Sequence, residues 1–296
     1  MIFDIQHRDC YDSLAAMRDA GGCDLILTSP PYPDARKPSA YGATFDTSFA
    51  SYQRLGDAVF EALKPGGVCA IVIDGPVRKW RRVEPNSAQQ DAPVRGKQES
   101  ERSLISFKLA IDWAERVGFR YVEHCAYVRQ GFVGDMGPRW CSNWEPVHVF
   151  SRPGAPAQFD GRGYTVKAKL AGKVVGGGRS RKAAGLTASA SKLQTERRGV
   201  RTALDVGAPN GDTDHEAPFS SRLADAYVLC YCPPGGLVGD PFAGSGTVPY
   251  AVQRAGDSRR FIGGDLGTRN STKAGKERVL CGRRWADIIT EKLKQP

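Results

Sequence analysis

Short apolar runs bounded by Gly, Pro and Asp recur along the chain, with longer amphipathic stretches between them. The apolar runs predict strands over residues 3–6, 24–27, 68–74, 121–129, 146–150, 237–240 and 260–265. The amphipathic stretches predict helices over 48–63, 104–117, 220–231 and 247–255. Strands alternating with helices imply an α/β protein whose sheet is mostly parallel. Lys64-Pro65-Gly66-Gly67 has the composition of a helix stop followed by a turn. No internal repeat interrupts this order.

Two stretches lack the periodicity. Residues 81–100 are polar, with Pro85, Pro93 and Gly96, and predict a mobile loop. Residues 161–210 are rich in glycine, serine and basic side chains, among them Lys167, Lys169, Lys173, Arg179, Arg181, Lys182, Arg197 and Arg198. Glu196 and Asp205 are the only acids there. Such composition suits a flexible linker, or an insert that meets a polyanion and orders on it. The chain thus divides into a discontinuous sheet domain, 1–150 and 211–296, and a basic insert, 151–210.

Charge favours the polyanion. The 296 residues hold 42 Lys and Arg against 32 Asp and Glu, a formal charge of +10. Of eight cysteines, Cys10, Cys23, Cys69 and Cys125 lie in or beside apolar segments, and only Cys230 and Cys232 are close together. A lone C-x-C without a second pair or a histidine cluster is not a zinc pattern, so the cysteines are expected as packed thiols and no metal is expected. No apolar run nears the roughly 20 residues of a membrane span. Met1-Ile2-Phe3-Asp4 lacks a signal-peptide pattern. A soluble chain with no membrane partner is expected.

The most informative segment is Thr28-Ser29-Pro30-Pro31-Tyr32, directly after the predicted strand 24–27. Neither proline can donate a ladder hydrogen bond, so the strand ends abruptly. A hydroxyl, a carbonyl and an aromatic ring are then held at the strand's C-terminal edge, where open α/β sheets bind ligands. A planar base with an exocyclic amino group needs such acceptors and a ring to stack on. The second segment runs from Leu237 through Asp240-Pro241-Phe242-Ala243-Gly244-Ser245-Gly246-Thr247: a strand, a glycine loop and a helix start. Ser245 stands where a P-loop needs lysine, and Pro249 where a dinucleotide loop needs its third glycine. Asp265 follows about 20 residues after the loop, the spacing at which an acid grips a ribose diol, although a strand-end cap would use the same residue. A glycine loop and a ribose acid without a diphosphate signature suit a nucleoside cofactor such as S-adenosylmethionine.

These segments resemble the permuted, β-class amino-methylating DNA methyltransferases, in which the catalytic half precedes the cofactor half. Ser29-Pro30-Pro31-Tyr32 is similar to that family's catalytic motif, and Asp240–Thr247 to its cofactor loop. His215-Glu216-Ala217-Pro218-Phe219 resembles the segment before that loop, with H-x-x-P-F where many members have H-P-x-x-K-P. Tyr41-Gly42 also recurs in serine-type members. The resemblance spans residues 1–150 and 211–296, and the insert sits where the family carries its target-recognition region.

The resemblance implies a doubly wound, Rossmann-like, mostly parallel seven-stranded sheet, with strands 121–129 and 146–150 as its antiparallel edge. It implies Ser29, Pro30, Pro31 and Tyr32 as catalytic residues. It places Asp9, Thr28, Phe219, Asp240, Pro241, Phe242, Gly244, Ser245, Gly246, Thr247 and Asp265 around S-adenosylmethionine, with Asp9 beside the adenine. The basic insert would bind double-stranded DNA. A bacterial or phage-infected cytoplasm is the implied setting, and a cognate restriction endonuclease is a partner the resemblance allows. Serine before Pro-Pro favours cytosine N4 over adenine N6, where aspartate is usual. The base would be flipped from the duplex and stacked on Tyr32. Ser29 and the Pro30 carbonyl would accept the amino hydrogens while the nitrogen attacks the sulfonium methyl, with the last proton leaving to water. An RNA or protein methyltransferase, or a non-catalytic nucleic-acid-binding protein, are the rival readings. The permuted order and the insert argue against the former, and the intact motifs against the latter.

Overall fold

A computed structural model describes residues 3–32, 45–75, 77–80, 99–128, 143–167, 172–175, 192–193, 195, 197–199, 202–205, 220–274 and 277–294. Eight strands form the central sheet: β1 (Phe3–Gln6), β2 (Cys23–Thr28), β3 (Leu63–Val72), β4 (Arg120–Val128), β5 (Trp144–Ser151), β6 (Ala203–Asp205), β7 (Leu237–Asp240) and β8 (Arg260–Gly264). Their order is β1-β8-β7-β2-β3-β5-β4-β6. Among the described residues six α-helices accompany them: α1 (Cys10–Asp19), α2 (Phe49–Ala62), α3 (Ile105–Asp112), α4 (Ser221–Tyr231), α5 (Thr247–Ala255) and α6 (Trp285–Leu293).

Both faces of the sheet are covered, as the near-continuous apolar strands require. Leu25 and Leu27 of β2, with Val68, Ala70 and Val72 of β3, pack toward α4 and α5 through Leu223, Tyr227, Val248 and Val252. The intervening Ile26, Cys69 and Ile71 pack on the other side against Leu14, Met17, Tyr52, Leu55, Val59, Leu109 and Trp113 of α1, α2 and the α3 region. Each fully buried Leu or Ile contributes about 1.5–3 kcal/mol over its exposed form. The permuted order closes in space: β7 pairs in parallel with β2 and β8.

The expected antiparallel edge is corrected. Only β5 runs against the others: it is antiparallel to β3 and β4, whereas β6 is parallel to β4. A helical crossover joins β3 to β4, so β4 keeps the common direction, and β5 returns between them. The sheet gains an eighth strand from within the expected insert, because Ala203–Asp205 pairs with 126–128 of β4. At the other end of that insert, the Asp160 amide donates to the Cys230 carbonyl (2.7 Å) and Phe159 lies against Tyr231. Both margins of 151–210 therefore rest on the sheet domain. Of the expected loop 81–100, Glu99 and Ser100 pair with Trp80 and Lys79 in the antiparallel hairpin Val77–Trp80/Glu99–Arg102; 81–98 lie outside the described residues.

Local differences have local causes. The helix expected over 104–117 is α3 followed by a π-helical turn, Trp113–Val117, closed by Gly118 at φ 92°. Residues 64–67 do stop α2, but they join β3 across a register shift between Cys23 and Leu25 of β2. The hairpin Thr268–Ala274/Glu277–Arg284 and helix α6 extend the chain beyond the last predicted strand. Six described cysteines, 10, 23, 69, 125, 230 and 232, are buried free thiols. Burial pushes the Cys10 and Cys232 thiols up to about 12, which keeps them inert. Trp144 is 36% exposed at the overhanging start of β5. No helix among the described residues is long and apolar enough to cross a membrane.

Candidate active site

β2 and β7 are parallel neighbours, so their C-terminal ends meet. Thr28 closes β2 and Asp240 closes β7, and the Thr28 hydroxyl donates to Asp240 Oδ1 at 2.7 Å across 212 positions of sequence. Both side chains are buried. Burial raises the Asp240 carboxyl to about 7, against the lowering effects of Thr28 and of the Phe242 amide, which donates to the same oxygen at 3.1 Å. Thr28 and Asp240, both expected at the cofactor, form a buried brace between the two motifs.

Beyond Thr28 the chain turns out of the sheet. Ser29, Pro31 and Tyr32 are half-buried and Pro30 is buried. The Pro31 carbonyl accepts from the Tyr52 hydroxyl of α2 at 2.6 Å. The Tyr32 hydroxyl donates to Glu145 Oε2 of β5 at 3.0 Å. Burial, then the Glu145 charge, hold the Tyr32 phenol well above its ordinary range, so it keeps its proton. Phe45 stands edge-on to both Tyr52 and Phe242, at ring-centroid distances of 5.6 and 5.2 Å, and bridges the two motifs. At the end of β3, Asp74 is clamped by Arg102 Nη1, at 2.9 and 2.7 Å to its two oxygens.

The glycine loop is organised by its own backbone. The Ala243 amide donates to the Gly264 carbonyl (3.0 Å), Gly244 to Asp265 Oδ2 (2.8 Å) and Gly246 to the Ala243 carbonyl (2.8 Å). Gly244 at φ 52° and Gly246 at φ 92° supply the left-handed turns that launch α5 at Thr247. With the amides of 242, 243, 244 and 246 turned to protein acceptors, the loop does not offer the row of amides that cradles a diphosphate. Asp265, the half-buried acid beside the loop, suits a phosphate-free nucleoside. Pro241, Phe242, Ser245 and Thr247 lie on this loop as expected.

Two expected cofactor acids have structural duties. Asp265 braces the loop through Gly244 and its own turn through Gly267 N (2.6 Å to Oδ1); each oxygen retains a second lone pair for a ribose hydroxyl. Asp9 is the N-cap of α1, accepting from the Asp12 amide at 2.8 Å. Phe219 lies outside the described residues, as do Lys169, Arg179, Arg181 and Lys182. Lys167 is exposed on the hairpin Thr165–Lys167/Arg197–Gly199, in register with Arg197, and Arg198 follows on the same strand; Lys173 is exposed nearby in sequence. No cluster of metal-ligating side chains occurs among the described residues. Tyr52, Glu145 and Phe45 carried no sequence signal of their place at the site.

Comparisons with known proteins bear on the family and the fold. A family model described as DNA methylase, covering N6 and N4 enzymes, matches residues 23–272. The orphan methyltransferase M.BamHII of Bacillus amyloliquefaciens is 26% identical over 286 residues, 93% of this chain and 90% of that protein. Among solved structures, TTHA0409 of Thermus thermophilus, a candidate DNA modification methylase complexed with S-adenosyl-L-methionine, is similar with TM-score 0.58 and 19% identity over 99% of this chain and 93% of that one. The PvuII DNA methyltransferase, cytosine-N4-specific, gives 0.56 and 15% over 99% and 92%. The latter two likenesses concern the fold.

Proposed function

The chain belongs to the N6/N4 DNA methylase family, and on that premise we propose that it methylates the N4 amino group of a flipped-out cytosine in double-stranded DNA. S-adenosylmethionine is the cofactor, and when bound it supplies an electrophilic methyl on a sulfonium. The observation that carries the proposal is the Thr28–Asp240 hydrogen bond, which fixes Ser29-Pro30-Pro31-Tyr32 and the glycine loop to one rigid edge. Asp265, Ser245 and the loop from Pro241 to Thr247 would hold the nucleoside there.

An exocyclic amino nitrogen is a poor nucleophile because its lone pair is conjugated with the ring. The Ser29 hydroxyl and the Pro30 carbonyl accept its two hydrogens, which positions the nitrogen and favours its pyramidal form. Tyr32 offers a stacking face worth roughly 1–3 kcal/mol, which offsets part of the few kcal/mol that flipping costs. The basic side chains of the insert, Lys167, Lys173, Arg197 and Arg198 with Lys169, Arg179, Arg181 and Lys182, neutralise phosphates. Cytosine is chosen over adenine because serine stands in front of Pro30-Pro31, where adenine-N6 members of the family usually carry aspartate.

The test is product identity. The protein is incubated with S-adenosylmethionine and unmethylated DNA of mixed sequence, and the digested nucleosides are separated by mass spectrometry. N4-methylcytosine supports the proposal. N6-methyladenine overturns the choice of base and leaves the cleft as described.

A further inference from the structure

Tyr32 is fastened at both ends. The Pro31 carbonyl belongs to the planar peptide that carries the Tyr32 amide, and it accepts from the Tyr52 hydroxyl at 2.6 Å. The Tyr32 hydroxyl, at the far tip of the ring, donates to Glu145 Oε2 at 3.0 Å. Both supports are themselves held. Tyr52 is fully buried on α2, and its backbone carbonyl accepts from Trp113 Nε1 at 3.0 Å. Glu145 stands opposite Tyr127 of β4, on a strand paired with β3 on one side and β4 on the other. Between these supports the Tyr32 ring packs against the apolar cluster that contains Ile26, Ile71 and Tyr52, yet it stays only half-buried.

From these contacts we infer that Tyr52 and Glu145 are positioning residues that hold the Tyr32 ring as a preset stacking platform for the flipped base. The inference rests on the proposed function, which puts a flipped base on Tyr32, and adds how the ring is kept ready for it. A carboxylate only accepts hydrogen bonds, so the phenolic proton is committed to Glu145. Tyr32 then has no proton to give a base edge, and its part in recognition is the face of the ring. Stacking on an aromatic ring favours a bound base by roughly five- to 150-fold. Ordering a loose side chain on binding costs on the order of two- to tenfold. A free tyrosine would lose much of a weak stack in this way, whereas a ring fixed during folding keeps it. Flipping is itself an uphill equilibrium in a paired duplex. Any loss in the stacked population there passes directly into the rate of methyl transfer.

The experiment compares single-turnover methyl transfer on two duplexes that carry the site mapped from the methylated product, with enzyme in excess and S-adenosylmethionine saturating. One duplex is fully paired. The other has a mismatch opposite the target base, which lowers the cost of flipping. Tyr52→Phe removes one hydroxyl and keeps the packed ring. Glu145→Ala removes the acceptor at the other end, and Glu145→Gln keeps an oxygen that accepts from Tyr32. On the paired duplex Tyr52→Phe and Glu145→Ala should each slow transfer about fivefold, and Glu145→Gln less, with the S-adenosylmethionine Kd from calorimetry within about twofold. On the mismatched duplex the flipped state is already populated, so the same variants should come within about twofold of wild type. Damage to the fold would slow transfer on both duplexes alike. In the Tyr32→Phe background, Glu145→Ala should cost less than about twofold more, because the bond it breaks is already gone. Equal losses on the two duplexes, losses of Tyr32→Phe and Glu145→Ala that multiply, or variants as fast as wild type on the paired duplex overturn the inference alone. A wild-type protein that transfers no methyl group to DNA overturns the functional reading, and the inference falls with it.

Discussion

The two strand ends that form the cleft are built in opposite ways. At the end of β7 the chain is held by its own neighbourhood: Asp240 accepts from the Phe242 amide two residues on, and Asp265 accepts from Gly244 and Gly267. At the end of β2 the chain is held by side chains from elsewhere. Tyr52 of α2 grips the Pro31 carbonyl and Glu145 of β5 grips Tyr32. Backbone bonds make the cofactor loop a fixed surface. Side-chain hydroxyls make the catalytic tip a set of oriented donors and acceptors. Substitutions at the first end should therefore damage the fold or the affinity for the cofactor, and at the second end the rate.

The sharpest attempt to break this contrast is at Gly263. A Cβ there would lie 2.6 Å from the Asp240 carbonyl oxygen, a backbone atom of the adjoining β7, and 2.6 Å from Phe261 Cζ. Gly263→Ala should cost about 3 kcal/mol, a fall in Tm of about 6–12 °C by thermal unfolding. An unchanged Tm would mean that β7 and β8 are not held this closely. Ser29→Ala probes the other end. It should lower the single-turnover rate about 100-fold, roughly 2.7 kcal/mol in the barrier, with the S-adenosylmethionine Kd within about twofold. An equal rate in variant and wild type would remove Ser29 from the chemistry.

A third test uses pH on β5, the strand that supplies Glu145. His148 is fully buried between Ser106 at Nε2 (3.0 Å) and Tyr121 at Nδ1 (2.8 Å), with the His124 ring 6.0 Å away. Burial, and then His124, lower its pKa from 6.5 to about 4. The folded state therefore holds fewer protons than the unfolded chain between those values. This contribution to stability is present above about 6.5 and is lost as pH falls toward about 4. Between pH 7 and pH 5 the loss should be about 2 kcal/mol. Asp240, raised to about 7, slopes the other way, losing stability as pH rises through that range. The measurement is thus the difference in Tm between wild type and His148→Gln at each pH. A difference that does not change from pH 7 to pH 5 would show that His148 does not titrate with folding.

The same contrast explains what was legible in the sequence. The cofactor end is local, so its glycines, its aspartates and their spacing stand in two short segments, and the strands 237–240 and 3–6 match β7 and β1 at both ends. The Ser-Pro-Pro-Tyr tip was equally plain, because two prolines end a strand in any context. The groups that orient the tip were not. Tyr52 lies on the apolar face of α2 and reads as core, and only packing shows that its hydroxyl meets Pro31. Glu145 follows Trp144 at a strand start with nothing to separate it from a solvated acid. β6 is three residues long, too short for any period, and exists because β4 offers it a partner: Ala126 donates to the Thr202 carbonyl at 2.8 Å. The hairpin Thr268–Ala274/Glu277–Arg284 has a largely polar sequence with no alternation to announce it.

The smallest expected effect falls on the cofactor end and tests whether its acid is more than a brace. Asp265 already accepts two backbone amides, and a strand-end cap would need nothing further. If it also holds the ribose, Asp265→Ala should raise the S-adenosylmethionine Kd about tenfold, roughly 1.4 kcal/mol, as measured by calorimetry. Asp265→Asn separates the two duties. An amide keeps one acceptor oxygen, so it can serve Gly244 or Gly267 but not both, and it can still meet a ribose hydroxyl. A brace alone predicts that both variants lower Tm with the Kd unchanged. A ribose acid predicts a Kd that rises steeply in Asp265→Ala and less in Asp265→Asn, while both lose a similar amount of stability. The second pattern would place the affinity for the cofactor in a side chain whose first partners are backbone amides, so that the loop and its ligand are held by the same two oxygens.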